Sequence, residues 1–148
     1  MNELALRLEH SVDVDVSPGF AWRFRTDVAN WDDPPARFTL EGAFAAGSWG
    51  TTVLPGQAPV HWRIADVRPY ESFLIEVQLD GATLTFEWRF QGLSPRRTRM
   101  SQCIALTGEN ASAYAEQIER AFGTNLADGM NRIAAQTKIA EMHMETSG

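Results

Sequence analysis

Residues 4–16 of this chain read LALRLEHSVDVDV, in which every second residue is apolar except His10. Side chains on a β-strand alternate between two faces, so this stretch predicts a long amphipathic strand. Ser17 and Pro18 follow, and they predict a helix with a serine N-cap and a proline at its first position. A histidine directed at a hydrophobic interior needs a hydrogen-bonding partner, and that partner bears on what the protein does.

Composition limits the possible classes of protein. The chain has 148 residues, of which 44% are hydrophobic, so we expect one domain over 1–148 with its own core. The net charge of −6 disfavours a nucleic-acid partner. No apolar run approaches the ~20 residues that cross a bilayer, so no integral membrane segment is expected. We see no secretory signal, and the single cysteine, Cys103, excludes an internal disulfide; both suit a cytoplasmic location.

Alternating segments continue beyond the first strand. Two short helical pieces with aromatic anchors fill residues 18–31, and Asp32-Asp33-Pro34-Pro35 ends them. Strands are predicted at Arg37–Glu41 and Ser48–Leu54, and alternation then marks 60–64, 73–79, 83–91 and 99–106. Asp80-Gly81 is a strong signal for a two-residue hairpin. Short turns between such strands predict an antiparallel meander with one apolar face.

The period changes after Gly108. Apolar residues then recur every three or four positions, which predicts one long amphipathic helix over Asn110–Ala140 with Asn110 as its cap. Gly123 and Gly129 lie inside it, and we expect them to mark a bend or close packing. Residues 141–148 are expected to fray.

This order of elements resembles the helix-grip fold of the START-related, pollen-allergen-like superfamily (SRPBCC), often described as polyketide cyclase/dehydrase or lipid-transport proteins. The local matches are the opening strand with Ser17-Pro18, then Ala21–Phe24 and Thr26–Trp31. The resemblance implies an α+β fold in which a curved antiparallel sheet of about seven strands wraps around a long C-terminal helix. Two short helices follow strand 1, and a cavity lies between sheet and helix. Members of the superfamily bind lipids, hormones, polyketides or aromatic compounds.

The inward rows of this arrangement supply the candidate ligand-binding residues. Each large side chain either walls a pocket or simply packs the core, and the sequence leaves both interpretations open. The candidates are His10, Trp62, Phe73, Ile75, Phe86, Trp88, Phe90, Met100, Gln102, Tyr114, Ile118, Phe122 and Leu126.

His10 and Gln102 are the two polar candidates within the sheet. If the first and last strands pair so that these residues face each other, Leu8 faces Ile104 and Val12 faces Met100, and every apolar residue stays on one face. Three interpretations stay open, in this order. The two side chains satisfy each other or a buried water; they orient a ligand's carbonyl or hydroxyl; or His10 acts in acid–base catalysis.

No other constellation points to chemistry. The three histidines and Cys103 have no metal-ligand spacing, and no dinucleotide or phosphate-binding fingerprint occurs, so we expect no metal and no cofactor.

Three functions therefore compete. The first is binding or carriage of a small hydrophobic ligand, a lipid, polyketide or aromatic compound. The second is a polyketide cyclase/dehydratase-like enzyme that uses His10 as its candidate catalytic residue. The third is a protein-interaction module of the chaperone-activator type, and the mostly polar outward positions rank it last. The helix-grip resemblance also allows a homodimer.

Overall fold

The computed structural model describes residues 4–147, which form one antiparallel sheet packed against helices. The strands are β1 (Leu4–Val14), β2 (Arg37–Leu40), β3 (Trp49–Val53), β4 (Val60–Arg68), β5 (Ser72–Leu79), β6 (Ala82–Ser94) and β7 (Arg97–Thr107). The helices are α1 (Pro18–Arg25), α2 (Ser112–Ile118) and α3 (Leu126–Ser147), with a 3-10 turn at Val28–Asn30 and a π-helical turn at Glu119–Gly123. The seven strands lie in the order β1-β7-β6-β5-β4-β3-β2, which confirms the predicted α+β architecture.

The junction between β1 and α1 has the predicted cap. The backbone N–H of Phe20 donates to the Ser17 hydroxyl at 3.2 Å, and Pro18 is the first helical residue. Pro18 has no N–H to leave unsatisfied, so it suits this position. The chain therefore turns from the sheet edge into a short helix that packs against β6.

The hairpin between β5 and β6 also agrees with the sequence. Leu79 pairs with Ala82, so Asp80 and Gly81 form a two-residue turn. Gly81 has φ +72°, a left-handed conformation that glycine adopts without steric cost. The turn fixes the register of the two strands.

The predicted register of β1 against β7 is confirmed. His10 lies opposite Gln102, Leu8 opposite Ile104 and Val12 opposite Met100. A slip by one residue would turn every apolar side chain of β1 toward the outside, which is why the hydrophobic pattern determines this pairing.

The prediction of one continuous helix over Asn110–Ala140 is wrong. α2 begins at Ser112, the π-helical turn ends at Gly123, and α3 begins at Leu126. Asn110 does not cap α2, because its amide donates to the Asp80 carbonyl at 3.1 Å. Glycine destabilises a helix interior by ~1 kcal/mol relative to alanine, which favours an interruption at Gly123, whereas α3 runs through Gly129 unbroken.

The other end of the helix also departs from the prediction. α3 continues through Ser147, past the expected limit at Ala140. Glu141 is buried there and accepts a hydrogen bond from the Ser17 backbone N–H at 3.1 Å. This contact between distant parts of the chain supports the last turns, which periodicity alone does not reveal. No helix in the described residues is both long and apolar enough to cross a membrane.

Candidate functional site

The inward face of the sheet carries a row of side chains that crosses four strands. Because of the strand register, His10 on β1 neighbours Gln102 on β7, which neighbours Trp88 on β6, which neighbours Phe73 on β5. Side chains opposite each other on one face of a sheet have Cβ atoms ~4.5–5.5 Å apart. Two polar residues thus continue directly into an aromatic wall.

An aromatic cluster fills one end of the interior, and Phe73 lies at its centre. The ring centroid of Phe73 is 5.0 Å from that of Phe44, 6.1 Å from that of Trp22 and 6.2 Å from those of Trp88 and Phe90. Of the predicted lining residues, the structure buries Trp62, Phe73, Ile75, Trp88, Phe90 and Met100 in this cluster. They form its packed wall.

An aliphatic cluster fills the other end, beneath α2. Leu84, Ile104 and Leu106 from the sheet pack with Ile118 from α2. Tyr114 borders this cluster, and its hydroxyl donates to the Asp80 carbonyl at 3.2 Å. That contact places the Tyr114 hydroxyl at the β5–β6 turn.

The interior is not sealed everywhere. Leu8, Phe86, Phe122 and Leu126 pack against the core yet remain only partly buried, and Phe86 lies 5.5 Å from Phe122 between ring centroids. Phe122 lies on the π-helical turn, and Leu126 is the first residue of α3. The half-open side of the interior therefore lies beneath the interruption between α2 and α3.

His10 and Gln102 lie beside this half-open side. Both are partly buried, and neither side chain forms a hydrogen bond with another residue in the described range. A hydrogen bond between the two side chains, one of the interpretations left open by the sequence, is therefore not formed, although the register brings them opposite each other. Their polar groups are left available to water or to a ligand.

Arg25, the last residue of α1, supplies a third inward polar group. Its guanidinium carbon lies over the indole rings of Trp88 at 4.4 Å and Trp31 at 4.9 Å. Its Nε is buried and has no hydrogen-bond partner, and no described residue forms a salt bridge with it. Trp88 is also the strand neighbour of Gln102, so one tryptophan lies next to both Arg25 and a member of the facing pair.

Burial has an electrostatic cost at this position. It lowers the pKa of Arg25 from its ordinary value to about 10, and the Asp33 carboxylate raises that pKa in part. The side chain is therefore harder to keep charged here than in water, but it remains charged at neutral pH. Asp33 also accepts a hydrogen bond from Arg132 of α3 at 3.0 Å, so its charge is shared between two arginines.

Sequence analysis missed Arg25, although a signal for it exists. Arg25 follows the buried residues Ala21 and Trp22 by four and three positions, so it lies on the same helix face. Arg23, two positions earlier, lies on the exposed side. Helical spacing on a segment this short was too weak to single out one arginine, whereas the tertiary contacts are clear.

Two depressions of the surface lie elsewhere. One, of about 590 Å³, crosses the outward face of the sheet among charged side chains that include Glu87, Arg89 and Arg99. The other, of about 600 Å³, lies between the Pro34-Pro35 loop and Pro55. Neither lies between the sheet and α3. Among the described residues, no group of three or more histidine, cysteine, aspartate or glutamate side chains is placed to hold a metal.

Comparison with known proteins gives a clear result for the fold alone. No family model and no curated protein matches the sequence. The norcoclaurine synthase of Thalictrum flavum, solved with dopamine and hydroxybenzaldehyde, superposes with a TM-score of 0.70 at 11% identity, over 97% of this chain and 88% of that one. The Zhui aromatase/cyclase of Streptomyces sp. R1128 superposes with a TM-score of 0.68 at 17% identity, over 90% of this chain and 93% of that one.

A third solved structure contains the same architecture as part of a longer chain. The di-domain aromatase/cyclase BexL, from the BE-7585A biosynthetic pathway, superposes with a TM-score of 0.71 at 16% identity. The match covers 90% of this chain and 46% of that one. The chain therefore has the helix-grip fold.

Proposed function

We propose that this protein binds a small, largely apolar ligand in the half-open side of its interior, with His10 and Gln102 as polar contacts. The observation that carries the proposal is that His10 and Gln102 face each other without forming a hydrogen bond. Both side chains point into an apolar interior, both keep some accessible surface, and neither has a hydrogen-bond partner in the described residues. Because both side chains keep accessible surface, their polar atoms can contact water or a ligand, and a ligand that supplies a hydrogen-bond partner gains affinity there.

The surroundings favour a ligand with an aromatic or alicyclic ring. Phe86 and Phe122 face each other at 5.5 Å with their planes at 74°, an edge-to-face arrangement. Trp88 borders Gln102 from the next strand. Aromatic side chains supply large apolar contact area and prefer ring partners at these distances. The solved relatives with norcoclaurine synthase and aromatase/cyclase activity agree with ligands of this kind.

We place binding ahead of turnover. Acid–base catalysis by His10 needs a group that orients the imidazole, and no described acid or hydroxyl hydrogen-bonds it. A cyclase-like enzyme remains the second candidate, because His10 is inward, accessible and free to contact a bound molecule. The cytoplasmic location and the homodimer stay predictions.

A binding titration tests the proposal. We would titrate the purified protein with a neutral probe, 1-naphthalenemethanol, and follow the quenching of tryptophan fluorescence. We expect saturable binding, weakened about tenfold or more when His10→Leu and Gln102→Leu are combined, because the hydroxyl of the probe loses its partners.

The matched control lies on the same strands at the adjacent register position. Ser11 and Ser101 face outward and hydrogen-bond each other at 2.7 Å, so Ser11→Ala with Ser101→Ala should leave binding unchanged. Absence of saturable binding by the wild-type protein would overturn the proposal. Equal weakening by both double variants would overturn the role of His10 and Gln102.

A further inference from the structure

We infer that Arg25 is an anion-binding group, and that the ligand is a hydrophobic acid whose carboxylate pairs with the Arg25 guanidinium. The inference rests on the proposed function, since it specifies the ligand class of the same interior site. It concerns a residue on α1 that lies outside the pair formed by His10 and Gln102.

The hydrogen-bonding state of Arg25 is the first argument. A guanidinium carries five N–H donors in a fixed planar arrangement and is not deprotonated at neutral pH. In the described residues none of these donors has an acceptor, and the Nε is fully buried. The residue as a whole is partly buried, and its Nε is the guanidinium atom that is fully enclosed. Buried N–H donors in proteins are normally hydrogen-bonded, so the Nε lacks the acceptor that its position calls for.

Two indole rings hold the Arg25 side chain in place without supplying a hydrogen-bond acceptor. Trp88 and Trp31 lie 4.4 Å and 4.9 Å from the guanidinium carbon, within the range of cation–π attraction. The Trp31 indole N–H in turn donates to the Arg25 carbonyl at 2.8 Å, which fixes the ring against the end of α1. These contacts position the cation but supply no conventional hydrogen-bond acceptor, so the terminal N–H groups, which are not fully buried, stay available.

Asp33 does not fill that role. Its charge acts on Arg25 from a distance, and its Oδ1 accepts a hydrogen bond from Arg132 at 3.0 Å. The loop that carries Asp33 is thereby tied to α3, and the guanidinium of Arg25 keeps a net need for negative charge.

The shape of the missing group follows from chemistry. A carboxylate matches a guanidinium with two parallel N–H···O bonds, and such charge-assisted pairs are stronger than neutral hydrogen bonds. The surrounding side chains are aromatic and aliphatic, so the rest of the ligand must be apolar. A planar ring acid satisfies both requirements at once.

The experiment compares two probes that share one ring system. 1-Naphthoate carries the carboxylate, and 1-naphthalenemethanol replaces it with a neutral hydroxymethyl group. Both are titrated at pH 7 against the wild-type protein, Arg25→Met, Arg25→Lys and Arg23→Met, with circular dichroism to confirm folding. Arg23→Met is the matched control, since it removes an exposed positive charge from the same helix.

We expect the wild-type protein to bind naphthoate about tenfold or more tightly than the alcohol. Arg25→Met should abolish this preference while its affinity for the alcohol stays within about threefold of the wild-type value. Arg25→Lys should retain part of the preference, because it keeps the charge but not the planar pair of donors. Arg23→Met should behave as the wild-type protein does.

Each other result has a defined meaning. Equal affinities of the wild-type protein for the two probes would overturn the anion-binding role while leaving the proposed function intact. A preference for naphthoate that survives in Arg25→Met would also overturn it. Failure of the wild-type protein to bind either probe would overturn both the proposed function and this inference.

Discussion

The two faces of the sheet differ in whether the polar side chains named here have hydrogen-bond partners. On the outward face Asp13 accepts hydrogen bonds from Arg99 at 2.8 and 3.1 Å, and Ser11 bonds Ser101 at 2.7 Å. On the inward side, His10, Gln102 and the buried Nε of Arg25 have no partner in the described residues.

This difference separates stability from function. Exposed ion pairs contribute little to stability, because water screens them and ordering the side chains costs entropy. Inward polar groups without partners oppose folding, and an apolar residue of similar size would serve the core better. Polar groups that lower the stability of a fold and are nevertheless present in it are expected at a binding site.

The largest expected effect is on the wall that supports Arg25. Trp88→Ala removes a ring that is 2% exposed and contacts Phe73, Phe90 and Arg25. We expect the free energy of unfolding to fall by about 3–5 kcal/mol in urea titrations. Trp49→Ala is the control, because Trp49 is 52% exposed and its loss should change stability by about 0.5 kcal/mol or less. Equal losses in the two variants would contradict the assignment of Trp88 to the packed wall.

The next effect has the opposite sign. Arg25→Met replaces the unpaired cation with an apolar side chain of similar length, and we expect the free energy of unfolding to rise by about 2 kcal/mol. Chemical denaturation of the ligand-free protein measures it. A loss of stability would show that the two tryptophan contacts compensate the buried charge fully.

A smaller gain is expected at the facing pair. His10→Leu combined with Gln102→Leu should raise the free energy of unfolding by about 1 kcal/mol, because two unsatisfied polar side chains leave the interior. The outward double variant, Ser11→Ala with Ser101→Ala, breaks an existing hydrogen bond and should not be stabilised. Thermal unfolding of both double variants measures these changes in stability. A result in which the inward variant alone is destabilised would contradict the expected gain.

The smallest effect depends on pH and tests the outward face. The hydrogen bond from Arg99 lowers the pKa of Asp13, so the folded state favours the carboxylate. The resulting stabilisation is present above the unfolded pKa of about 4 and is lost as the pH falls through the lower folded value. Asp13→Asn should therefore lower the Tm at pH 7, and its difference from the wild-type Tm should vanish in strong acid. A difference that persists at pH 2 would assign the effect to another cause.

The sequence predicts the sheet better than the helices that cover it. Alternation fixes the face of each strand residue, and together with the strand order that the helix-grip resemblance implies it predicted the opposition of His10 and Gln102. The interruption at Gly123 and the burial of Glu141 depend on contacts between distant segments. Periodicity shows only which face of an element is apolar, so it predicts neither the interruption nor the burial of Glu141.

The candidate site also has parts that the sequence predicts and parts that it does not. Strand phase placed His10 and Gln102 inward, but it could not show that they leave each other unbonded, since that depends on side-chain rotamers. Arg25 becomes prominent only when Trp31 from one loop and Trp88 from the sheet are brought to the same point.

The most direct test combines stability and binding in one protein. A triple variant carrying His10→Leu, Gln102→Leu and Arg25→Met would be compared with the wild-type protein in urea unfolding and in titration with 1-naphthoate. We predict that it unfolds at a higher urea concentration and binds naphthoate about 100-fold more weakly. A triple variant that is less stable and binds naphthoate as tightly as the wild-type protein would contradict the claim that these inward polar groups are retained for a ligand.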